Sequence, residues 1–165
     1  MIRVAILTIS DSVVGGTRED TSGPLLAARV EEFGWHPAMK IVLPDVVHGI
    51  SAALSELAAG GSIDVAITTG GTGVALSDVT PEAVRAIADR EIPGIGEVMR
   101  SEGLKSTKFA PLSRSGGFTR RRMLIVMLPG SARGAVDSLN AIADLVPHVV
   151  DLLQGRTEHV EKPSS

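Results

Sequence analysis

Three carboxylates in this chain of 165 residues each close a short apolar run, and the third stands beside a glycine cluster. Asp11 sits in Ser10-Asp11-Ser12 after the run 2–9, Asp45 follows Pro44 after the run 39–43, and Asp78 ends the stretch Asp64-Val65-Ala66-Ile67-Thr68-Thr69-Gly70-Gly71-Thr72-Gly73-Val74-Ala75-Leu76-Ser77-Asp78. Gly70, Gly71 and Gly73 allow a sharp turn and a close backbone approach to a ligand, because no Cβ stands in the way. The free amides of such a loop form an anion-binding nest, to which Thr68, Thr69 and Thr72 add hydroxyls. A carboxylate next to a phosphate cradle repels the anion unless a cation such as Mg²⁺ bridges the two. The chemistry suggested is phosphate handling with a hard metal ion; a plain tight turn is the competing reading of the glycines alone.

Two phosphate-binding motifs are excluded. A P-loop requires Lys followed by Ser or Thr after its second glycine, and nothing of that kind follows Gly73. A dinucleotide fingerprint starting Gly71-Thr72-Gly73 requires Gly or Ala where Leu76 stands. His36, His48, His148 and His159 lack ligand spacing, and no Ser/His/Asp arrangement is readable.

The elements that must position these residues follow from apolar runs and their punctuation. Residues 2–9, 39–43, 65–69 and 123–128 read as strands, the central ones apolar on both faces as in a parallel sheet. Thr21-Ser22-Gly23-Pro24 opens a helix that Gly34 ends, with Thr21 or Ser22 as cap. A second helix carries Ile50, Ala53, Leu54, Leu57 and Ala58 up to Gly60-Gly61, and Asp45 competes as its cap. Thr80 reads as the cap of a short helix with Pro81 in its first turn. Another helix spans about 96–104, and 135–153 is helical with a break near Pro147. Residues 109–113 and 118–121 are expected to pair as a hairpin across Gly116-Gly117, and Arg120-Arg121-Arg122 reads as a solvated edge. Pro129-Gly130-Ser131 is a further strand-to-helix turn. Ligands of open α/β sheets bind at the carboxyl ends of the strands, which is where all these loops fall.

Composition sets the outer bounds. A hydrophobic share of 44% supports a buried sheet, and an aromatic share of 2% leaves Val, Ile, Leu and Ala to fill it. The expectation is one α/β domain over 1–154 and a flexible tail over 155–165. The net charge of −3 argues against nucleic acid or an anionic membrane as partner. The absence of Cys removes disulfides, thiolate nucleophiles and zinc–thiolate sites together, and it fits a reducing compartment. The first apolar run meets Asp11 too early for a signal peptide or a membrane span, so a cytoplasmic protein is expected.

Several stretches resemble the molybdenum-cofactor biosynthesis proteins, and most closely the stand-alone molybdopterin adenylyltransferases. They are Ser10-Asp11-Ser12 with Asp20-Thr21-Ser22-Gly23-Pro24, Pro44-Asp45, Thr68 to Gly73 with Asp78-Val79-Thr80-Pro81-Glu82, and Leu128-Pro129-Gly130-Ser131. Ala88 to Gly94 with Glu97, Met99 and Arg100, and Leu112-Ser113-Arg114, match as well. The resemblance covers residues 2 to about 153. It implies a three-layer αβα sandwich with a mostly parallel central sheet, a homotrimer, and transfer of AMP from Mg·ATP to molybdopterin with release of pyrophosphate. Asp45 and Asp78 are then the catalytic carboxylates that hold the metal and nucleotide. Substrate contacts fall to Ser10, Asp11, Ser12, Thr69, Gly70, Gly71, Thr72, Gly73, Ser113, Pro129, Gly130 and Ser131. One departure stands out: the family commonly has Pro and often Lys after the Pro-Gly-Ser turn, where this chain has Ala132-Arg133.

The missing nucleophiles agree with that chemistry. When the substrate's own phosphate attacks, catalysis reduces to positioning and charge neutralisation, for which amides, carboxylates and Mg²⁺ suffice. A binding protein that carries molybdopterin without adenylylating it has the same loops and remains the alternative; a purely structural oligomer would bind neither ligand.

Overall fold

The structure is a computed structural model and describes residues 1–156. Six strands form one sheet in the order β2-β1-β3-β6-β5-β4. Strands β1 (Arg3–Ile9), β2 (His36–Leu43), β3 (Val65–Thr69) and β6 (Met123–Leu128) run parallel. Strand β5 (Gly116–Arg120) runs against both β6 and the short β4 (Arg90–Ile92). The sheet is therefore mostly parallel.

Alternation along the strands divides the core in two. Val4, Ile6, Val65, Ile67, Leu124 and Val126 face one side, where they pack against α2 (Ser22–Glu32), α5 (Pro93–Gly103), α6 (Ala132–Ile142) and α7 (Val146–Leu153). Ala5, Leu7, Ala66, Ile125 and Met127 face the other side, against α3 (Val47–Gly60) and α4 (Thr80–Arg85). Helices thus cover both faces, which gives the αβα sandwich. Central strands buried on both faces explain why their sequences are continuous apolar runs. No helix among the described residues is long and apolar enough to cross a membrane.

Trp35 lies just before β2, at the end of that strand remote from Leu43. It is 8% exposed and its ring centroid is 5.0 Å from that of Phe33.

The structure corrects several expected elements. Residues 109–113 make no strand: Ala110–Leu112 is a 3-10 turn, and β5 instead forms a hairpin with β6. The turn of that hairpin is Arg121-Arg122, with Arg121 at φ 53°, so only part of the arginine triplet is free edge: Arg120 bonds Asp89. Gly117 lies inside β5 because the Ile95 side chain of α5 occupies the space its Cβ would need. Residues 11–14 form a short helix, α1 (Asp11–Val14), where a loop was expected. Val46 and Val79, not Asp45 and Thr80, occupy the N-cap positions of α3 and α4. The break between α6 and α7 falls at residues 143–145, with Pro147 in the first turn of α7. The expected tail lies, from 157 onward, outside the described residues.

Candidate functional site

The carboxyl ends of β2, β1, β3 and β6 lie along one edge of the sheet, and the chain reverses its direction of sheet building between β1 and β3. That is the topological switch point at which an open α/β sheet forms a crevice. A cleft of about 410 Å³ opens there, lined by Ser10 after β1, Asp45 after β2, Thr69 at the end of β3 with Gly70, Gly71 and Asp78 after it, and Gly130 and Ser131 after β6. Four loops distant in sequence are thereby brought to one place.

The glycine loop is held from both sides. Gly70 has φ 101° and its α-carbon abuts the Ile9 carbonyl so closely that a Cβ has no room. Gly71 has φ 67°, and a Cβ there would collide with the Thr80 hydroxyl and lie 3.1 Å from Asp45 Oδ1. Thr80 Oγ1 donates to the Gly70 carbonyl (2.9 Å) and its amide donates to the Gly71 carbonyl (3.1 Å), which is the work this buried threonine does in place of capping. Thr69 Oγ1 donates to the Pro129 carbonyl (2.8 Å), tying this loop to the turn after β6. Thr68 points to the opposite face of the sheet, where its buried hydroxyl has no partner among the described residues. It takes no part in the cleft.

The carboxylates are placed by backbone bonds. Asp45 Oδ2 accepts from the Asp11 amide (3.0 Å) and Asp11 Oδ1 accepts from the Asp45 amide (2.9 Å). Burial pushes the Asp45 carboxyl above the ordinary carboxylate value; the Asp11 amide opposes this, while the negative charges of Asp11 and Asp78 push it further up. Asp78 Oδ2 accepts from the Ala75 amide (3.0 Å) and lies 2.6 Å from where a Gly73 Cβ would be. Ser131 caps α6, its Oγ accepting from the Gly134 amide (3.2 Å), so that helix directs its amino end at the cleft. Ser10 Oγ accepts from Val13 N (3.3 Å) and lies 3.0 Å from Ser12 Oγ.

Of the residues singled out from the sequence, Ser10, Asp45, Thr69, Gly70, Gly71, Asp78, Gly130 and Ser131 line this cleft. Asp11 and Ser12 brace it from behind, and Thr72 and Gly73 offer their carbonyls to Arg114. Ser113 and Pro129 line a separate cavity of about 280 Å³ between α5 and α6, which meets the first at Ser131. Sequence reading missed Thr8, Arg18, Glu19, Asp20 and Ser77 in the lining. Asp20 belongs to the Asp20-Thr21-Ser22-Gly23-Pro24 match, which assigns it no substrate contact; its Oδ1 accepts from Gly23 N (2.9 Å) and its Oδ2 from Thr8 Oγ1 (2.9 Å). Arg18 and Ser77 carried no signal.

Among the described residues no group of three or more His, Asp or Glu is arranged to enclose a metal. Asp45 and Asp78 nevertheless fit a cation that takes one or two carboxylates and completes its shell with ligand phosphates and water, the habit of Mg²⁺. Their mutual repulsion favours such an ion.

A model of the family described as probable molybdopterin binding domain matches residues 5–148. The molybdopterin adenylyltransferase of Helicobacter pylori strain J99 is 33% identical, over 98% of this chain and 93% of that protein. The molybdopterin adenylyltransferase of Escherichia coli K12 is 34% identical, over 93% of this chain and 86% of that one. The crystal structure of the molybdopterin biosynthesis enzyme MoaB from Thermus thermophilus is similar with a TM-score of 0.88 at 41% identity, over 94% of this chain and 98% of that one. With its cleft, glycine loop and full-length relatives in agreement, this chain belongs to the molybdenum-cofactor biosynthesis family that carries the probable molybdopterin binding domain.

Proposed function

We propose that this protein is a molybdopterin adenylyltransferase, acting in molybdenum cofactor biosynthesis by transferring AMP from ATP to the terminal phosphate of molybdopterin. The observation that carries the reading is the convergence of Asp45 and Asp78, from the ends of two different strands, on the cleft that holds the glycine loop. Two carboxylates beside an anion cradle make sense when the ligands are phosphates that arrive with a cation. Relatives bearing the name of this activity support the same choice.

In this reading an oxygen of the molybdopterin phosphate attacks the α-phosphorus of ATP. A new phosphorus–oxygen bond forms, the bond from the α-phosphorus to the bridging oxygen breaks, and pyrophosphate leaves with that electron pair. No side chain is the nucleophile, so the protein's task is to bring two polyanions together in line. The loop amides from Gly71 onward and the amino end of α6 at Ser131 receive phosphate oxygens, while the Gly70 amide is taken by the Leu128 carbonyl, and Arg18 supplies a positive charge at the rim. Asp45 and Asp78 would hold Mg²⁺, which when bound supplies charge neutralisation of the phosphates. The apolar cavity at Ser113 adjoins the cleft and offers room for the remainder of a substrate. In the same reading the reaction runs in the cytoplasm.

The proposal includes a homotrimer. Val74, Leu76, Leu104, Phe109 and Leu112 are exposed apolar side chains that an assembly would cover. Light scattering at micromolar concentration is expected to give three times the chain mass, and a monomer alone would remove this part.

The decisive test is incubation of the wild-type protein with molybdopterin, ATP and Mg²⁺, followed by detection of pyrophosphate and adenylylated product. Molybdopterin binding without product would leave a carrier and end the catalytic roles of Asp45 and Asp78.

A further inference from the structure

The loop that carries Asp78 has few anchors of its own. Residues 74–77 are exposed, Leu76 fully so, and inside the loop Asp78 and Ala75 bond only each other. Thr80 ties the base of the loop to the Gly70 and Gly71 carbonyls, and between Thr72 and Asp78 the remaining hydrogen bonds come from one residue far along the chain. The Arg114 amide donates to the Thr72 carbonyl (2.8 Å), Arg114 Nε to the Gly73 carbonyl (2.8 Å), and Arg114 Nη2 to the Asp78 carbonyl (2.8 Å). The guanidinium also pairs with Glu82 of α4. One planar fork thus spans both ends of the loop.

Arg114 is itself held in place. Arg100, on α5, donates from Nη1 to the Ser113 carbonyl (3.2 Å) and the Ser115 carbonyl (2.9 Å), fixing the backbone on each side of Arg114. Arg114 does not line the cleft, so its effect there passes through the loop.

We propose that Arg114 is a positioning residue: it fixes the Asp78 carboxylate against Asp45 and the Gly70–Gly73 backbone by clamping carbonyls at both ends of the loop. The catalytic part of this rests on the transfer reading above; the clamp itself does not. Two directed side-chain donors, Nε to the Gly73 carbonyl and Nη2 to the Asp78 carbonyl, explain why a guanidinium stands here, since an ammonium is a compact point charge that cannot span both; the bond to Thr72 comes from the backbone and survives any side-chain change. A simple surface ion pair with Glu82 would need neither the fork nor its orientation.

The test compares the full chain with Arg114→Lys, Arg114→Gln and Glu82→Gln, by amide hydrogen exchange and by transfer kinetics. Both Arg114 variants should exchange residues 72–78 about tenfold faster, with the rest of the chain unchanged, as for local opening of a released segment. Their kcat should fall by on the order of 10²-fold from misplacement of the carboxylate, with the KM for molybdopterin kept within about twofold of wild type. Glu82→Gln, which keeps the three carbonyl bonds, should change exchange and kcat by less than about threefold each. Wild-type exchange of residues 72–78 in Arg114→Lys would overturn the proposal, as would a rise spread over the whole chain, an unchanged kcat, or a Glu82→Gln variant as impaired as Arg114→Lys. A wild-type protein that makes no product fails the transfer reading separately, and the exchange experiment still decides the clamp.

Discussion

Asp11 and Asp45 exchange backbone-to-carboxylate hydrogen bonds in both directions, at 3.0 and 2.9 Å, so that each aspartate positions the other. The pair joins the loop after β1 to the loop after β2, two segments 34 residues apart. Asp11→Ala removes the acceptor for the Asp45 amide and frees the second loop. The expected result is a loss of about 1 kcal/mol of stability and impaired use of Mg·ATP, with molybdopterin affinity nearly intact. Thermal melts and separate KM values for the two substrates check it; equal loss for both substrates would contradict the division of roles.

Asp78→Asn keeps the shape of the side chain and an oxygen for the Ala75 amide while removing the charge. Folding should survive, and transfer should fall by on the order of 10²-fold or more, the size of a single electrostatic contribution in a site. Near-normal turnover would leave the ligand site standing and end the metal role of this carboxylate.

Asp45 yields a prediction about pH. Its folded-state pKa is raised by burial and by the negative charges of Asp11 and Asp78. The folded protein therefore binds more protons than the unfolded chain just above the unfolded value of 3.8, and stability falls as pH rises through that window. At pH 7 the Asp45 charge opposes folding of the metal-free protein. Asp45→Asn should raise the melting temperature at pH 7 while suppressing transfer, and its advantage should vanish below pH 3.8. A melting temperature that drops in this variant at pH 7 would contradict the sign.

Asp64 behaves in the opposite way at the far end of the sheet. Burial pushes its carboxyl up, but side-chain and backbone hydrogen bonds from Arg3 outweigh that and hold it below the ordinary value. The stability it contributes is complete above 3.8 and is lost as pH falls through the lower, folded-state pKa. Asp64 accepts from Arg3 N (2.8 Å) and Nε (3.1 Å), and Arg3 is 43% exposed as a side chain, so the pair ranks between surface and buried bridges. Asp64→Asn should cost about 1–2 kcal/mol at pH 7 and progressively less as pH falls below 3.8, as read from denaturant midpoints.

The glycine loop and the three aspartates were legible because backbone chemistry leaves marks in sequence: no other residue tolerates the contacts at Gly70 and Gly71, and strand ends are marked by apolar runs. The role of Asp45 was harder to read. A carboxylate two residues before a helix looks like a cap, and only the packing of β2 beside β1 reveals that Asp11 takes its hydrogen bond. The hairpin was misread for a similar reason. Gly116-Gly117 has the composition of a turn, yet Gly117 is small because α5 packs on it. Arg114 stood out only as part of the Leu112-Ser113-Arg114 match, and neither its contacts nor the place of Arg18 could be read from sequence, since an arginine in a loop carries no period or cap signal.

Trp35 gives the chain an unusual optical property. It is the only tryptophan, there is no tyrosine, and it is packed beside Phe33 before the first residue of β2. The cleft opens beyond the last residue of that eight-residue strand, roughly 25 Å away at a strand's rise per residue. Its emission should therefore follow unfolding of the core and stay silent when nucleotide occupies the cleft. Phosphate ligands can be titrated against a fluorescence signal that reports only whether the chain is folded.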